Sequence, residues 1–420
     1  MSSIVPLAEA ILDEGSRSPN WFNGRLVTAE AMQQDRKAVR EGLRSLGRIV
    51  GGGVAFGLEV SDAVGQSTPT KPVVTIRAGL AVNARGHVLR LCADAAISLL
   101  TVRSTDPGTG NGFKDCTPAQ AGVYVAGEGV YLLAMSPAAA KQGRAVASGL
   151  GNAPVSCDAA YVIDGVSFRL VPVPLTQAVL DDVAHLRNRL AYAFFAVEAA
   201  SAAAKDPFGL APVSESPLQA LIGTRAVTDC DVPLAVVYWT ATGLQFIDMW
   251  AVRRRLMPGR ERRQVETHAM CAQFRQHLTD LLAAEASPTS TVATDHFRYL
   301  PPFGTVPLQR APLRGFLEPS FFANVVRRPA AGSGQATEFI DGRLLDTAAE
   351  QALTHAPIDL TQKEFIWVYR PWQNVKASFD GEPVQPFVAF LSGLMPDLAT
   401  ARFDMARADY SDYANCCGGS

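Results

Sequence analysis

Two stretches of the chain carry apolar residues at the spacing of an α-helix. The first follows Thr28, a suitable N-cap, and ends at the triple glycine of residues 51–53. Its apolar positions are Met32, Val39, Leu43 and Leu46. They recur at offsets of 0, 7, 11 and 14 residues, which places them in one narrow stripe. Two interpretations stay open. The simpler is that the stripe packs on a sheet of its own chain, and the other is that it docks on a neighbouring subunit.

The second stretch predicts a long helix over residues 260–285. Its apolar positions are Met270, Phe274, Leu278 and Leu281, at offsets of 0, 4, 8 and 11 residues. A further helix is predicted over 180–204, which is rich in alanine and contains no glycine or proline. Helices therefore account for part of the chain, and the alternating segments between them predict strands.

Strand patterns begin after the first helix and recur towards the C-terminus. Alternation predicts strands at 73–77, 80–83 and 87–91, and further strands are predicted at 129–135, 166–173, 364–369 and 387–391. Residues 232–239 and 245–250 flank a turn at Gly243, which predicts a hairpin. The predicted fold class is α+β: a β-rich multi-domain protein with an N-terminal helix, a central β domain and two longer helices.

The chain has 420 residues, which is too long for one ordinary domain. We predict an N-terminal helix and docking segment over 1–62 and a β-rich domain over 63–175. A helix, hairpin and helix region follows over 176–290, bounded by a Ser/Thr-rich linker near 287–294. Residues 291–420 form a mixed C-terminal domain with a flexible tail that carries Cys416 and Cys417.

Composition narrows the class of protein. Hydrophobic residues make up 48% and charged residues 19%, and the formal net charge is −2. That balance excludes a disordered charged tail and gives no field to attract nucleic acid or an anionic membrane. Seven scattered cysteines indicate a reducing compartment, and neither a basic signal region nor a long apolar run is present. We therefore expect a cytoplasmic protein without a transmembrane segment.

The common catalytic and cofactor motifs are absent from the sequence. It contains no phosphate-binding loop, nucleophile elbow or zinc-protease helix, and the glycines of 108–112 fit a hairpin tip better than a dinucleotide site. His268 and Cys271 share a helix face, but His277 lies on the opposite side, and two ligands are too few for zinc. We predict no catalytic residue, no cofactor and no metal.

Six arginines lie within residues 253–263 and include Arg253, Arg254 and Arg255. Nucleic-acid binding would normally add lysines, stacking aromatics and an overall basic balance, which are missing. Arginine also bridges to carboxylates and to backbone carbonyls. The cluster is therefore predicted to act at a subunit interface or in salt bridges within the chain, with acidic partners nearby.

Several motifs, in order, resemble a known family. The run at 21–30, Trp-Phe-Asn-Gly-Arg-Leu-Val-Thr-Ala-Glu, comes first, followed by a helix and then Gly-Val-Ala-Phe-Gly-Leu-Glu-Val at 53–60. A strand pair follows over 74–86, with further similar stretches at 165–172, 232–248, 298–304 and 321–322. Together they resemble baseplate- or fibre-associated structural proteins of contractile injection systems and phage-tail-like particles. One departure is the segment 48–52, which lacks the aromatic residue that family members often carry there.

The resemblance implies a structural particle component that contacts other particle subunits, with self-association as an open alternative, and it implies no catalytic residue. The candidate interface residues are Trp21, Phe22, Gly24, Phe56, Arg253, Arg254 and Arg255. The aromatic members could equally fill the chain's own core. Two other functions stay open: a receptor- or glycan-binding module, for which Trp239 and Trp372 are candidates, and a hydrolase whose site is assembled only in space.

Overall fold

The computed structural model describes most of the chain in several stretches. The described residues are 17–99, 128–147, 156–175, 177–195, 197, 222, 227–257, 262–284, 292–307, 316, 337–361 and 366–392. The predicted hairpin tip at 108–112 and the predicted cysteine tail lie outside these residues.

Helices and strands are numbered in chain order. The helices are α1 (Ala29–Val50), α2 (Gln177–Leu180), α3 (Leu186–Phe194), α4 (Arg262–Ala284), α5 (Ala293–His296), α6 (Gly342–Ala352) and α7 (Trp372–Phe379). The first nine strands are β1 (Gly53–Gly57), β2 (Val60–Asp62), β3 (Val73–Ile76), β4 (Gly79–Val82), β5 (Val88–Leu91), β6 (Ala95–Ser98), β7 (Gly129–Gln142), β8 (Ala145–Ala147) and β9 (Ser156–Asp158). The remaining strands are β10 (Tyr161–Pro172), β11 (Val232–Thr240), β12 (Gly243–Asp248), β13 (Tyr299–Leu300), β14 (Phe303–Pro307), β15 (Thr337–Ile340), β16 (Ile358–Asp359), β17 (Ile366–Pro371) and β18 (Phe387–Ser392).

The N-terminal β region contains two three-stranded antiparallel sheets, in the orders β1-β4-β5 and β2-β3-β6. Alternation puts Ile76 and Leu89 inside, and Leu58 between β1 and β2 is also buried; each is at most 1% exposed. These side chains share one apolar cluster with Tyr131 and Trp239 of the next sheet. The N-terminal sheets are therefore packed on the centre of the molecule.

The central sheet has the order β10-β7-β11-β12 and is antiparallel throughout. The β11–β12 pair is the predicted hairpin. Side chains on one face of β7 join the N-terminal cluster, and those on the other face pack with Tyr192 of α3 and Met270 of α4. The sheet takes strands from both sides of the predicted boundary at residue 175.

The C-terminal sheet has the order β14-β18-β17-β15, in which β15 and β17 run parallel and the other pairs antiparallel. Phe390 on one face packs against Phe274 and Leu278 of α4. Ala389 on the other face packs against Ala348 of α6. Helix α4 therefore lies between two sheets.

A buried polar network ties these layers together. Asp248, at the end of β12, accepts hydrogen bonds from Arg187 Nε on α3 at 2.8 Å and from Gln273 Nε2 on α4 at 2.9 Å. Asn188 Oδ1 accepts from the backbone N–H groups of Arg298 and Tyr299, both at 2.9 Å. These hydrogen bonds are made inside the chain, and they fix the positions of α3, α4, β12 and residues 298–299 relative to one another.

The described architecture confirms the predicted fold class: mixed α+β, rich in antiparallel strands. Each strand predicted from alternation in the described residues overlaps an observed strand. The predicted helix at 260–285 is α4, whereas the one at 180–204 contains a described helix only over Leu186–Phe194.

Candidate interaction surface

Helix α1 begins after Thr28 and ends before Gly51, the two capping residues. The Thr28 hydroxyl accepts a hydrogen bond from the backbone N–H of Ala31 at 3.2 Å. A free backbone N–H in the first turn, together with the Thr28 hydroxyl, holds the pKa of the Glu30 carboxyl below its ordinary value. The helix ends at Gly51, whose φ of +94° lies in the left-handed region that favours glycine. The predicted cap and stop are confirmed.

The C-terminal half of α1 is attached to the body through its polar side. Gly47 lies so close to Gly86 that a Cβ on either residue would overlap backbone atoms of the opposite segment. Arg48 Nε donates to the Arg85 carbonyl at 3.3 Å, and Arg40 Nη2 lies 3.5 Å from Asp164 Oδ2 on β10. The side of the helix that meets the rest of the chain is thus formed by glycine and arginine.

The apolar stripe of α1 faces away from the body. No residue of α1 is buried. Met32, Val39, Leu43 and Leu46 are each between 57% and 61% exposed, and Ile49 is 81% exposed. At about 100° per residue, Arg48 lies on the side of the helix opposite Val39. The expectation that the stripe packs on a sheet of its own chain is therefore wrong, and docking on a partner stays a prediction.

The segment before α1 adds exposed aromatic and apolar groups. Trp21, Phe22 and Leu26 are 44%, 63% and 81% exposed. Gly24 has a φ of +90°, and the turn it allows is closed by a 3.1 Å hydrogen bond from the Arg25 N–H to the Phe22 carbonyl. We call this segment, residues 17–28, the N-terminal arm.

The N-terminal arm is anchored to the helix that follows it. Gln34 Nε2 on α1 donates to the Arg17 carbonyl at 2.8 Å. The Arg25 guanidinium lies over the Trp21 ring, 5.1 Å from its centroid. The arm and the stripe of α1 together form the candidate surface.

The other aromatic candidate, Phe56 on β1, is 63% exposed. Neither it nor Trp21 nor Phe22 fills the core, so the alternative that these three residues pack inside the chain is wrong. Their role at an interface stays a prediction.

The arginine cluster is placed differently from the other candidates. Arg253 is only 6% exposed, and its guanidinium donates to the carbonyls of Gly57 and Leu58. Arg254 donates to carbonyls of its own turn and lies 4.8 Å above the Phe195 ring. Arg255 is exposed. The contacts described for Arg253 and Arg254 lie within the chain but go to backbone carbonyls and an aromatic ring, whereas the prediction within the chain was for salt bridges. Arg253 must be withdrawn from the interface set because its guanidinium is buried and donates to carbonyls within the chain.

Two side chains that could be chemically reactive, Cys271 and Asp231, have structural roles. Burial raises the pKa of the Cys271 thiol to about 12, so this cysteine is protonated and poorly nucleophilic at neutral pH. Asp231 accepts hydrogen bonds from Ser136, Arg169 and Thr228, which occupy both of its oxygens. One departure from the expected reduced state is Cys230, which is disulfide-bonded.

A cavity of about 550 Å³ opens between the end of α1 and the central sheet. Its lining is mostly apolar and includes Val50, Val82, Asn83 and Asp231. The Asn83 side chain makes hydrogen bonds with His87 and with the Cys230 carbonyl. In the described part of the chain, no group of three or more His, Cys, Asp or Glu residues is arranged to hold a metal ion.

Comparisons with known proteins identify no family. No family model matches the chain, and no curated protein matches it. Among solved structures, a crystal structure of TssK overlaps 64% of this chain and 46% of its own chain, with 8% identity and a TM-score of 0.26. This chain thus spans less than half of that structure, and a superposition this loose carries no conclusion about function.

No helix within the described ranges combines the length and apolarity needed to cross a bilayer. Trp239, one of the two tryptophans considered for glycan binding, is 3% exposed and stacks on Tyr131 with ring centroids 4.5 Å apart. It is therefore a core residue.

Sequence reasoning found the stripe of α1, but it did not find the contact of Gly47 with Gly86 that turns the stripe outward.

Proposed function

We propose that this chain is a non-catalytic structural subunit of a contractile injection system or phage-tail-like particle. It would act at the baseplate or fibre end by holding other particle subunits. The observation that carries the proposal is the outward-facing apolar stripe of α1, at Met32, Val39, Leu43 and Leu46. The type of assembly is inferred from the ordered motifs that resemble particle proteins.

The physical argument rests on where α1 places its two sides. A helix at the surface of a monomer normally turns its apolar side to the core and its charged side to water. Here Arg40 and Arg48 face the body, while Leu43 and Leu46 face solvent. Contiguous exposed apolar surface typically marks a protein–protein contact, because burying it is favourable by about 25 cal/mol per Å².

The arm strengthens the same proposal. Trp21 and Phe22 are large, exposed aromatic groups held close to the N-terminal end of α1 by the Gly24 turn. Aromatic residues are enriched at the centres of protein interfaces because they bury much area and lose few rotamers. A partner that covers the stripe can therefore also cover these two rings.

The test is incorporation into particles. Tail-like particles are purified from cells that produce this chain from its own locus, and the chain is followed with an epitope tag. We expect it in the particle fraction, and we expect Leu43→Glu with Leu46→Glu to reduce its content at least tenfold. Ser45→Glu is the matched control, since it adds the same kind of charge to α1 away from the stripe.

Two results would contradict the proposal. One is a chain that stays monomeric and outside the particle fraction when every particle protein is present. The other is a stripe variant that enters particles as well as the control. Circular dichroism of each variant verifies that the fold is intact, as expected for substitutions at exposed positions.

A further inference from the structure

The spacing along α1 specifies the kind of partner that fits its stripe. Positions a and d of a heptad are Ala29, Met32, Arg36, Val39, Leu43, Leu46 and Val50. Six of these seven are apolar, and the pattern continues through the whole 22-residue helix. A sustained seven-residue repeat keeps its seam facing a second helix that winds around it with a left-handed supercoil. The partner surface is therefore a helix with the same repeat.

The charges beside the seam indicate which helix that is. Asp35 occupies position g, and Arg40 occupies position e of the next heptad. When two such helices run parallel and in register, position g of one faces position e of the other five residues on. Asp35 then meets Arg40 of the second copy on both sides of the seam. The helix is electrostatically complementary to itself.

The polar residue within the seam agrees with this arrangement. In a parallel, in-register pair, Arg36 at position a faces Arg36 of the second copy, and Asp35 at position g of that copy lies next to it. A single polar residue at position a specifies register at some cost in stability. In the isolated chain Arg36 is exposed, like the apolar positions around it. Parallel pairing therefore gives the Arg36 charge an acidic neighbour that α1 alone does not place on the seam.

The attachment of α1 to the body leaves room for such a partner. The body contacts the helix through Arg40 and Gly47, which occupy position e on one flank of the seam, and through Arg48 on the side opposite Val39. Gly42, at the other flank of the seam, has no atom within 4 Å of where its Cβ would be. A second helix can thus approach the seam from the flank of Gly42, which the described parts of the chain leave open.

We propose that α1 pairs, in parallel and in register, with α1 of a second copy of this chain. This inference rests on the proposed assembly role and names the partner of the same surface. The seam buries Met32, Val39, Leu43 and Leu46. Asp35 faces Arg40 of the other copy, which in the isolated chain contacts its own Asp164, and lies next to Arg36 of that copy.

The first test is the oligomeric state of the full chain alone, measured by sedimentation over a hundredfold range of concentration. We expect a self-associated species for the unchanged chain and for the Ser45→Glu control. We expect Leu43→Glu with Leu46→Glu to weaken association at least tenfold. A chain that is monomeric throughout, or a seam variant that associates as well as the control, would overturn the inference.

The second test is orientation. Leu46→Cys is made in a Cys92→Ser background, which removes the exposed thiol of the described residues, and that background alone is the control. Parallel pairing places position 46 against position 46, so mild oxidation should give a covalent dimer. An antiparallel pair would place position 46 near position 36, and cross-linking only when Arg36→Cys is supplied on the other copy would overturn the proposal.

The third test concerns the charges. Asp35→Arg should weaken association several-fold because it places like charges together, and Arg40→Glu in the same chain should restore part of the loss. A merely structural role of either residue would not produce that rescue. If self-association proves absent while particles still take up the chain through α1, the proposed function stands and this inference fails. Self-association through α1 without entry into particles would support this inference and contradict the proposed function.

Discussion

Helices α1 and α4 are almost equal in length, at 22 and 23 residues, but they serve opposite purposes. Helix α4 lies between two sheets, and Phe274 and Leu278 on it are at most 3% exposed. It is buried on several sides, so even its polar Gln273 and His277 are inside. Helix α1 has no buried residue and a much sharper division between apolar and charged sides. The sharper amphipathic pattern therefore belongs to the helix that does not pack on its own chain.

The comparison shows that the amphipathicity of a helix reflects how many of its sides are covered. It does not indicate whether the helix lies in the core. A helix covered on all sides loses its polar face, whereas one that waits for a single partner keeps it. Four predictions test this contrast between α4 as core and α1 as contact surface.

The largest expected effect comes from truncating an aromatic side chain on α4. Phe274 packs with Phe297, Phe316 and Phe390 at centroid distances of 5.3 to 6.1 Å. Phe274→Ala should lower the free energy of unfolding by about 3–5 kcal/mol, measured by denaturant titration. The paired control is Leu46→Ala on α1, which should change it by less than about 0.5 kcal/mol under conditions where the chain is monomeric. Equal losses of unfolding free energy in the two variants would contradict the contrast between α4 as core and α1 as contact surface.

The ion pairs of the two regions should differ in the same direction. Asp248→Ala leaves the buried Arg187 with only its second partner, Asp280, and should cost about 3 kcal/mol. Asp164→Ala removes the exposed partner of Arg40 on α1 and should cost about 0–1 kcal/mol. Thermal and denaturant unfolding measure both. A cost for Asp164→Ala as large as that for Asp248→Ala would show that α1 is held by charge.

A pH effect is expected from α4. Burial holds the pKa of His277 well below its ordinary value, and the charges of Arg187 and His296 act in the same sense. The unfolded chain binds this proton below about pH 6.5, while the folded chain does not. The free energy of unfolding should therefore fall with decreasing pH, by up to ~1.4 kcal/mol per pH unit.

The control for the pH effect is His277→Phe, which keeps a ring of comparable shape next to Phe297 and removes the titrating group. Its stability should depend less on pH between about 6.5 and 5. An unchanged slope would mean that His277 does not carry the effect. Helix α1 contains no histidine, so its stability should not contribute in this range.

The smallest effect is local to α1. Thr28→Ala removes the cap and should cost about 1 kcal/mol of helix stability. Because α1 does not pack in the core, we expect the loss as faster hydrogen exchange in its first turn, by about fivefold, with little change in global unfolding. Ser45→Ala is the matched control, since that hydroxyl bonds only the Glu41 carbonyl of the same helix. A global loss from Thr28→Ala would couple α1 to the core.

Much of the fold could be predicted from local patterns. Alternation located β3, β4 and β5, the Gly243 turn predicted the β11–β12 hairpin, and the Thr28 cap marked the start of α1. These features depend on residues a few positions apart, so a short window of sequence contains the information.

The candidate site could be predicted only in part, since its use depends on distant residues. The stripe of α1 was visible at Met32 and Val39, but its direction was not, because it follows from the contact of Gly47 with Gly86. Arg253 was a candidate interface residue beside two other arginines, yet its guanidinium is buried and donates to the Gly57 and Leu58 carbonyls. The sequence by itself determined the positions of α1, α4 and strands such as β3, through hydrogen bonds and side-chain periods that close within a few residues. Only the tertiary structure decided which faces meet water, because burial depends on segments that are far apart along the chain.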